Sequence, residues 1–264
     1  MDQARIARLT SRAVIAVSGP DARSFLNGLL TQEIETLGEG ELRFSGLLTP
    51  QGRLLYDLFV AGSPDGLLLD VAAEHRDTIL ARLTMYRLRA KVELAASGLA
   101  VFAAFGGPSA EGYADPRLPG LGRRLYAADH AADASEDDYE AHRLALGAPG
   151  TADWGSDRTY PIEADFDLLA GIDFKKGCFV GQETTSRMKR RGTIKNRMLP
   201  IVFDGPAPAF GTEVLAGELR AGEVLSGRDG RAMALLRLDR IGDAALTVDG
   251  RPVTVDRPDW IPAG

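Results

Sequence analysis

The sequence predicts an α+β fold, a mixed body closed by a small C-terminal β-barrel, and three observations carry that reading. Strand-length apolar runs are separated by turns with Pro and Gly in turn order. Two stretches place apolar residues at helical spacing. From about Arg197 the texture changes to short apolar runs between Gly- and Asp-rich turns, the pattern of a barrel or sandwich. A boundary near residue 196 therefore separates a body, 1–196, from a barrel, 197–264.

In order along the chain, Val14-Ile15-Ala16-Val17 reads as a buried strand. Ser18-Gly19-Pro20-Asp21 reads as a turn into a helix, with Ser18 as its cap. Phe25, Leu26, Leu29 and Leu30 share one helical face. Three strand-like runs follow, Phe44 to Leu48, Leu54 to Val60 and Leu67 to Val71, separated by Thr49-Pro50-Gln51-Gly52 and Ser63-Pro64-Asp65-Gly66, which predicts a β-meander. Ala73 to Tyr86 is helical by pattern, and Lys91 to Leu94 and Val101 to Phe105 are strands, so helices lie on a mainly antiparallel sheet. Asp129 to Glu140 holds six acids and no Lys or Arg, read as a solvated loop and a helix that stops at Gly147; Thr151 to Asp157 reads as loop. In the barrel the predicted strands are Leu199 to Phe203, Glu213 to Leu215, Ala232 to Leu236 and Leu246 to Val248.

The 264 residues are 45% hydrophobic and 26% charged, enough for a real core, and the net charge of −6 argues against wholesale nucleic-acid or membrane-surface binding. One cysteine, Cys178, makes no intramolecular disulfide, and His75, His130 and His142 are scattered, so no metal-ligand spacing is present. No apolar run reaches the roughly 18 residues that span a bilayer. The N-terminus lacks a signal-peptide apolar region and enters a strand within about a dozen residues. The expectation is a cytoplasmic protein, with the mitochondrial matrix as the location of an organellar homologue.

Lys175 to Arg197 is the most unusual stretch, with eight basic residues against one acid in an otherwise acidic chain. Gly177 and Gly181 bracket Cys178 in a tight loop able to expose backbone N–H groups. Gly181-Gln182-Glu183-Thr184 reads as a helix start. A cysteine just before a helix N-terminus, near Lys175, Lys176 and Arg187, has surroundings that favour a thiolate or a bound anion. The same features are compatible with a small buried cysteine and a solvated basic face.

The string Lys176-Gly177-Cys178-Phe179-Val180-Gly181-Gln182-Glu183, with Arg187 and Arg191-Gly192, resembles the K-G-C-[YF]-x-G-Q-E-x-x-x-R signature of the YgfZ family. The opening Val14 to Thr31, Leu48-Thr49-Pro50-Gln51-Gly52-Arg53, Tyr86 to Val92, Pro161-Ile162-Glu163-Ala164-Asp165 and Gly222 to Gly227 are similar to the family in order and spacing. The resemblance implies the fold of the glycine-cleavage T-protein, an aminomethyltransferase, with three subdomains around a central channel and a C-terminal barrel. It implies tetrahydrofolate as ligand, with Glu163 on the ring amides, Asp57 near the pterin, and Lys176 and Arg187 on the glutamate carboxylates. Gly177 and Gly181 would shape the loop, and Gln182 and Glu183 would either touch the ligand or satisfy the helix start. T-proteins carry paired acids where this chain has Tyr56-Asp57, and they lack the cysteine string; both differences disfavour aminomethyl transfer.

The resemblance therefore implies a folate-binding accessory protein for assembly or repair of iron–sulfur enzymes, acting through the thiol of Cys178 on transient client or assembly partners, as a monomer. A folate-dependent methyl or aminomethyl transferase is the alternative enzyme. A docking module for an acidic partner or RNA is the non-catalytic alternative, disfavoured for RNA because the basic stretch lacks interleaved aromatics beyond Phe179.

Overall fold

The computed structural model describes residues 3–155, 157–192, 194–242 and 244–262; Met1 and Asp2 of the N-terminal stretch and Ser156 of the 151–157 loop lie outside it. The first sheet holds β2 (Arg12–Ser18), β3 (Leu42–Leu48), β4 (Leu54–Ser63), β5 (Gly66–Ala72) and β6 (Glu93–Ala96), in the order β3-β4-β5-β2-β6 and antiparallel throughout. The meander β3-β4-β5 follows from its turns. Thr49 and Arg53 close the first with a Thr49 N–H to Arg53 C=O bond of 2.8 Å. Helices α1 (Ala22–Leu29) and α2 (Arg76–Arg87) cover one face, where Ile15, Leu26, Leu30, Tyr56, Leu58, Val60, Ile79 and Leu83 form a core. The cap of α1 is Asp21 and not Ser18, which still belongs to β2; the Asp21 carboxylate instead accepts from the Lys91 N–H at 2.7 Å, pinning the helix start to the approach of β6.

The run Val101 to Phe105 leaves that sheet. As β7 (Ala100–Phe105) it joins a second sheet with β1 (Arg5–Arg8), β8 (Tyr113–Ala114) and β9 (Arg123–Ala127), in the order β1-β7-β9-β8. The physical reason is that both faces of β7 are apolar and buried: Val101, Ala103 and Phe105 pack toward the body while Phe102 and Ala104 pack on the other side. Such a strand needs neighbours on both edges and cover on both faces. The acidic stretch is also less solvated than its composition predicts. Ser135 and Asp138 form a capping box at the start of α3 (Glu136–Ala145). Asp133 accepts from the Ile6 N–H, and Glu136 from the N–H groups of Thr10 and Ser11, so these acids clip the helix to the β1–β2 connection.

The C-terminal part is a closed barrel of β10 (Asn196–Val202), β11 (Glu213–Ala216), β12 (Leu219–Arg228), β13 (Arg231–Arg237), β14 (Leu246–Val248) and β15 (Arg251–Val255), ordered β10-β13-β12-β11-β14-β15. Closure removes the sheet edges. Leu199, Ile201, Val214, Val224, Ala234, Leu236 and Val248 fill the interior. β12 has no continuous apolar run, because its exposed Leu219 and its glycines break the alternation. Gly222 is required by packing: a Cβ there would lie 2.2 Å from the Leu235 carbonyl oxygen.

Residues 157–181 run as successive turns between the first sheet and the barrel. Phe166 is buried against Phe44 and Trp154, with ring centroids 4.6 and 5.4 Å away. Arg197 of β10 donates to the Ile162 carbonyl and to the carboxylates of Asp165 and Asp167, at 2.6 to 3.0 Å. Asp165 is fully buried in a left-handed conformation, φ 60, and its Oδ2 has no partner among the described residues. Burial pushes its carboxyl up to about 8, with Asp167 adding to the rise and Arg197 opposing it.

That shift has a definite sign. Between pH 3.8 and about 8 the folded chain holds a proton at Asp165 that the unfolded chain has released. The stabilisation is complete below that window and is lost as pH rises through it. Asp165→Asn mimics the protonated acid and keeps an acceptor for Arg197. Urea unfolding across this window is predicted to show wild type losing stability relative to Asp165→Asn as pH rises; parallel curves would show that Asp165 stays ionised in the fold.

Candidate functional site

The alternation of β4 turns Tyr56, Leu58 and Val60 toward the helices and leaves Asp57 and Phe59 facing the second sheet. On that side lies a cavity of about 800 Å³, bounded by the start of β2, by β4, β9 and α3, and by residues 150–152. A smaller lobe of about 220 Å³, bordered by Tyr56, His75, Thr151 and Trp154, shares Asp57 with it.

The cavity wall is a chain of buried ion pairs. Asp57 Oδ2 lies 2.8 Å from Arg12 Nη1, Arg12 Nε lies 2.6 Å from Asp70 Oδ1, and Asp70 Oδ2 lies 2.6 Å from Arg124 Nη1. Asp115 continues the chain to Arg117, at 2.8 Å. The Arg124 and Arg117 guanidinium groups sit over the Phe59 ring, 3.8 and 4.8 Å from its centroid. Thr151 donates to Asp57 Oδ1 at 2.8 Å. Arg143 of α3 pairs with Glu140 and Asp153, and Asp153 accepts from the N–H and hydroxyl of Ser226, which ties the wall to β12.

Burial opposes ionisation of Asp57 and Asp115, yet the adjacent guanidinium groups outweigh it and hold both carboxyls below the usual range. Burial likewise opposes the charge on Arg12, Arg117, Arg124 and Arg143, and their acid partners outweigh it and push all four up. Asp57, Asp115 and these four arginines are thus ionised at neutral pH. Asp57 retains lone pairs beyond its two partners, since a carboxylate can take about four hydrogen bonds. Two buried donors on these walls have no partner among the described residues: Arg124 Nε and Trp154 Nε1.

Cys178 lies elsewhere. Lys176 and Phe179 near it are buried, while Gly177 and Cys178 are exposed. Lys176 turns inward, and its Nζ donates to the carbonyls of Asn27, Leu30 and Gln32 at 2.7, 2.8 and 2.9 Å, just where α1 ends and its last carbonyls lack partners. Phe179 is buried with its ring 5.3 Å from the same ammonium. Burial pushes Lys176 down to about 8, with Glu33, Asp173 and Glu35 opposing, so it stays cationic at neutral pH. Gly181 caps α4 (Gln182–Arg191) at φ 81, and a Cβ there would lie 2.6 Å from the Thr49 carbonyl oxygen. The loop is therefore anchored by Lys176, Phe179 and Gly181 and lifts Gly177 and Cys178 into solvent.

The expected site residues separate into three places. Asp57 alone lines the cavity. Glu163 is engaged by the Tyr160 N–H at 3.0 Å and the Asn196 amide at 2.9 Å, where it joins the 157–181 segment to β10. Lys176 holds α1, so its ammonium is committed to carbonyls and not to ligand carboxylates. Gln182 and Glu183 line a shallow depression with Phe174, Ser186, Lys189 and Arg190, and Arg187 is exposed on α4. None of Glu163, Lys176, Gly177, Gly181, Gln182, Glu183 or Arg187 lines the cavity. The residues that do, Arg12, Arg117, Arg124, Tyr139 and Arg143, escaped the sequence reading. Their only local signal was an arginine inside a strand-type run, at Arg12 and Arg124.

The structure superposes on the crystal structure of glycine cleavage system aminomethyltransferase T from Bartonella henselae, with a TM-score of 0.75, 18% identity, and coverage of 98% of this chain and 86% of that one. Residues 195–263 match the family described as CAF17, C-terminal beta-barrel domain. The architecture is thus the aminomethyltransferase fold with a CAF17-type barrel. Among curated proteins, the mitochondrial iron-sulfur cluster assembly factor IBA57 of Mus musculus is 30% identical over 97% of this chain and 85% of its own length. The IBA57 homolog of Pyricularia oryzae is 31% identical over 92% and 74%, and that of Neurospora crassa 32% over 84% and 59%. The chain spans a little under three fifths of the Neurospora protein. It belongs to the iron-sulfur cluster assembly factor IBA57 family, kin of the YgfZ family its signature resembles.

The anchoring role of Lys176 is open to measurement. Lys176→Met keeps the stem and removes the ammonium, leaving three carbonyls without their donor. Urea unfolding is predicted to show a loss of about 2 kcal/mol, the scale of unsatisfied buried acceptors. A loss below about 0.5 kcal/mol, the scale of ordinary surface substitutions, would show that the loop is held by other contacts.

Proposed function

We propose that this chain is an assembly factor for iron–sulfur proteins that offers the Cys178 thiol to transient partners and binds a reduced folate in its central cavity. The observation that carries the first part is the anchored loop: a buried lysine and a buried phenylalanine on either side of one exposed cysteine. Membership of a family whose curated members are named iron-sulfur cluster assembly factors supports it. Those members are labelled mitochondrial, which favours the matrix over the cytoplasmic location expected from the N-terminus. A single cysteine offers one of the usual four thiolate ligands, so the thiol acts by relay or by sharing a ligand set with a partner.

The cavity fits a flat, amide-bearing ring. Its volume falls within the ~300–1,000 Å³ of ligand pockets, Leu9 and Phe59 give it apolar wall, and Asp57 keeps acceptor capacity for ring N–H groups. A reduced folate would supply a one-carbon carrier there. The chain's own residues orient it: Arg12 and Thr151 fix the Asp57 carboxylate, and the ion-pair wall limits water. Arg12 holds Asp57 ionised and low in basicity, which weighs against the alternative of a folate-dependent transferase that needs this carboxylate as a base.

Cys178→Ser changes an exposed atom, so its melting midpoint is predicted to stay within about 2 °C of wild type. In cells lacking the parent protein, the variant is predicted to leave iron–sulfur enzyme activities uncorrected. Restoration of those activities to the parent's level by Cys178→Ser would remove the thiol from the account.

A further inference from the structure

Of the four large apolar side chains that stand exposed among the described residues, two occur together: Met85 at 65% and Leu88 at 88% exposure. Met85 lies in the last turn of α2, and Leu88 follows that helix directly. Leu88 takes φ 46 and ψ −106, the conformation of the first central residue of a type II′ turn, and the Ala90 N–H closes the turn on the Arg87 carbonyl at 2.8 Å. Glycine fills this position in most such turns, because a Cβ crowds the backbone at positive φ. The other described non-glycine residues at positive φ are three aspartates and one alanine. Aspartate tolerates such a backbone by bonding to it locally, which leucine cannot do. Leu88 thus strains its turn and returns almost no contact to the fold. Strain that persists without a packing reason points to a working surface.

The surroundings say what meets this side chain. Residues 78–92 contain Arg82, Arg87, Arg89 and Lys91 and no acid. Arg87 donates to the Val92 carbonyl at 3.1 Å, and none of the four forms an ion pair among the described residues. Asp21 meets the Lys91 backbone N–H and not its ammonium, and Glu93 is exposed at the start of β6. A leucine projecting among such cations fits an apolar pocket rimmed by carboxylates. One leucine and one methionine make too small an apolar face to lie on a bilayer, and the chain is acidic as a whole, so the fit is to a protein.

The patch and the cysteine loop stand at opposite ends of α1. Asp21 at the helix start holds the Lys91 N–H, and Lys176 holds the Asn27 and Leu30 carbonyls at its end. Eight residues make α1 roughly 12 Å long. Along it Ser24 and Gly28 are exposed and Phe25 and Leu29 half-buried, so one partner can cover both ends.

We propose that Leu88 anchors a docking surface for the protein partner served by Cys178, its side chain filling an apolar pocket rimmed by acids on that partner. The identity of the partner rests on the thiol reading; the surface rests on the geometry of Leu88.

The test titrates the expression of each variant in cells that lack the parent protein and reads the amount needed to half-restore iron–sulfur enzyme activity. Leu88→Gly is expected to need about tenfold more protein than wild type, the scale of one interface anchor, and to reach full activity at high expression, because mass action offsets weak docking. Arg89→Glu is expected to need at least about threefold more, since it brings a like charge to the acidic rim. Glycine suits φ 46, so the melting midpoint of Leu88→Gly is expected at or above that of wild type. A midpoint more than about 4 °C lower would show Leu88 serving the fold and overturn the proposal. An unchanged requirement for Leu88→Gly overturns the docking surface and, with Cys178→Ser still inactive, leaves the thiol standing. An unchanged requirement for Arg89→Glu overturns the acidic rim. Full restoration by Cys178→Ser beside a shifted requirement for Leu88→Gly removes the thiol and keeps the surface. Wild-type binding to phosphatidylglycerol vesicles that is lost in Leu88→Gly overturns the protein partner in favour of a membrane.

Discussion

The architecture around the cavity turns on one run of buried charge, from Asp57 through Arg12, Asp70 and Arg124 to Asp115 and Arg117. Taking these ions from water costs several kcal/mol each, and the run is tolerable only because every carboxylate meets a guanidinium in near-contact geometry. That requirement couples elements far apart in sequence. Arg12 comes from β2, Asp57 from β4, Asp70 from β5 and Arg124 from β9, so the two sheets share one set of counter-ions. A shift of either sheet would strand a charge. Such a network contributes register and a fixed cavity shape more than it contributes net stability.

The two working features follow from different solutions to burial. In the cavity wall, polar groups are buried and nearly all of them are paired. In the cysteine loop, Lys176 and Phe179 are buried and the thiol is not. The Lys176 ammonium finishes the end of α1, Phe179 enters the core, and Gly181 takes a backbone conformation and a close approach that a side chain would obstruct. The result is a rigid base under an exposed sulfur, in a segment of strong positive charge. An acidic partner surface suits that segment electrostatically.

Much of this fold was legible in the sequence because its signals were local. The β3-β4-β5 meander came from two Pro-Gly turns, the amphipathic faces of α1 and α2 from apolar spacing, and most of the barrel from its turn chemistry. What escaped were contacts without local signature. Nothing near Val101 distinguishes a strand of the first sheet from one of a second, nothing near Arg124 announces its ion pair with Asp70, 54 residues away, and nothing near Arg117 or Arg143 announces a place on a cavity wall. The family resemblance implied ligand contacts for Lys176 and Glu163; in the fold Lys176 meets the carbonyls at the end of α1, and Glu163 meets a turn N–H and the first residue of β10, contacts with no signature in the local sequence. Asp57 was named by the family resemblance, and it is the one residue so named that lines the cavity.

The central claim is that the thiol and the ligand cavity are separate sites on one chain. Calorimetric titration of tetrahydrofolate into wild type and Cys178→Ala tests it most directly. The account predicts binding to both with indistinguishable affinity, since Cys178 lies on an exposed loop that does not line the cavity. Loss of binding in Cys178→Ala, or absence of binding in both, would contradict it.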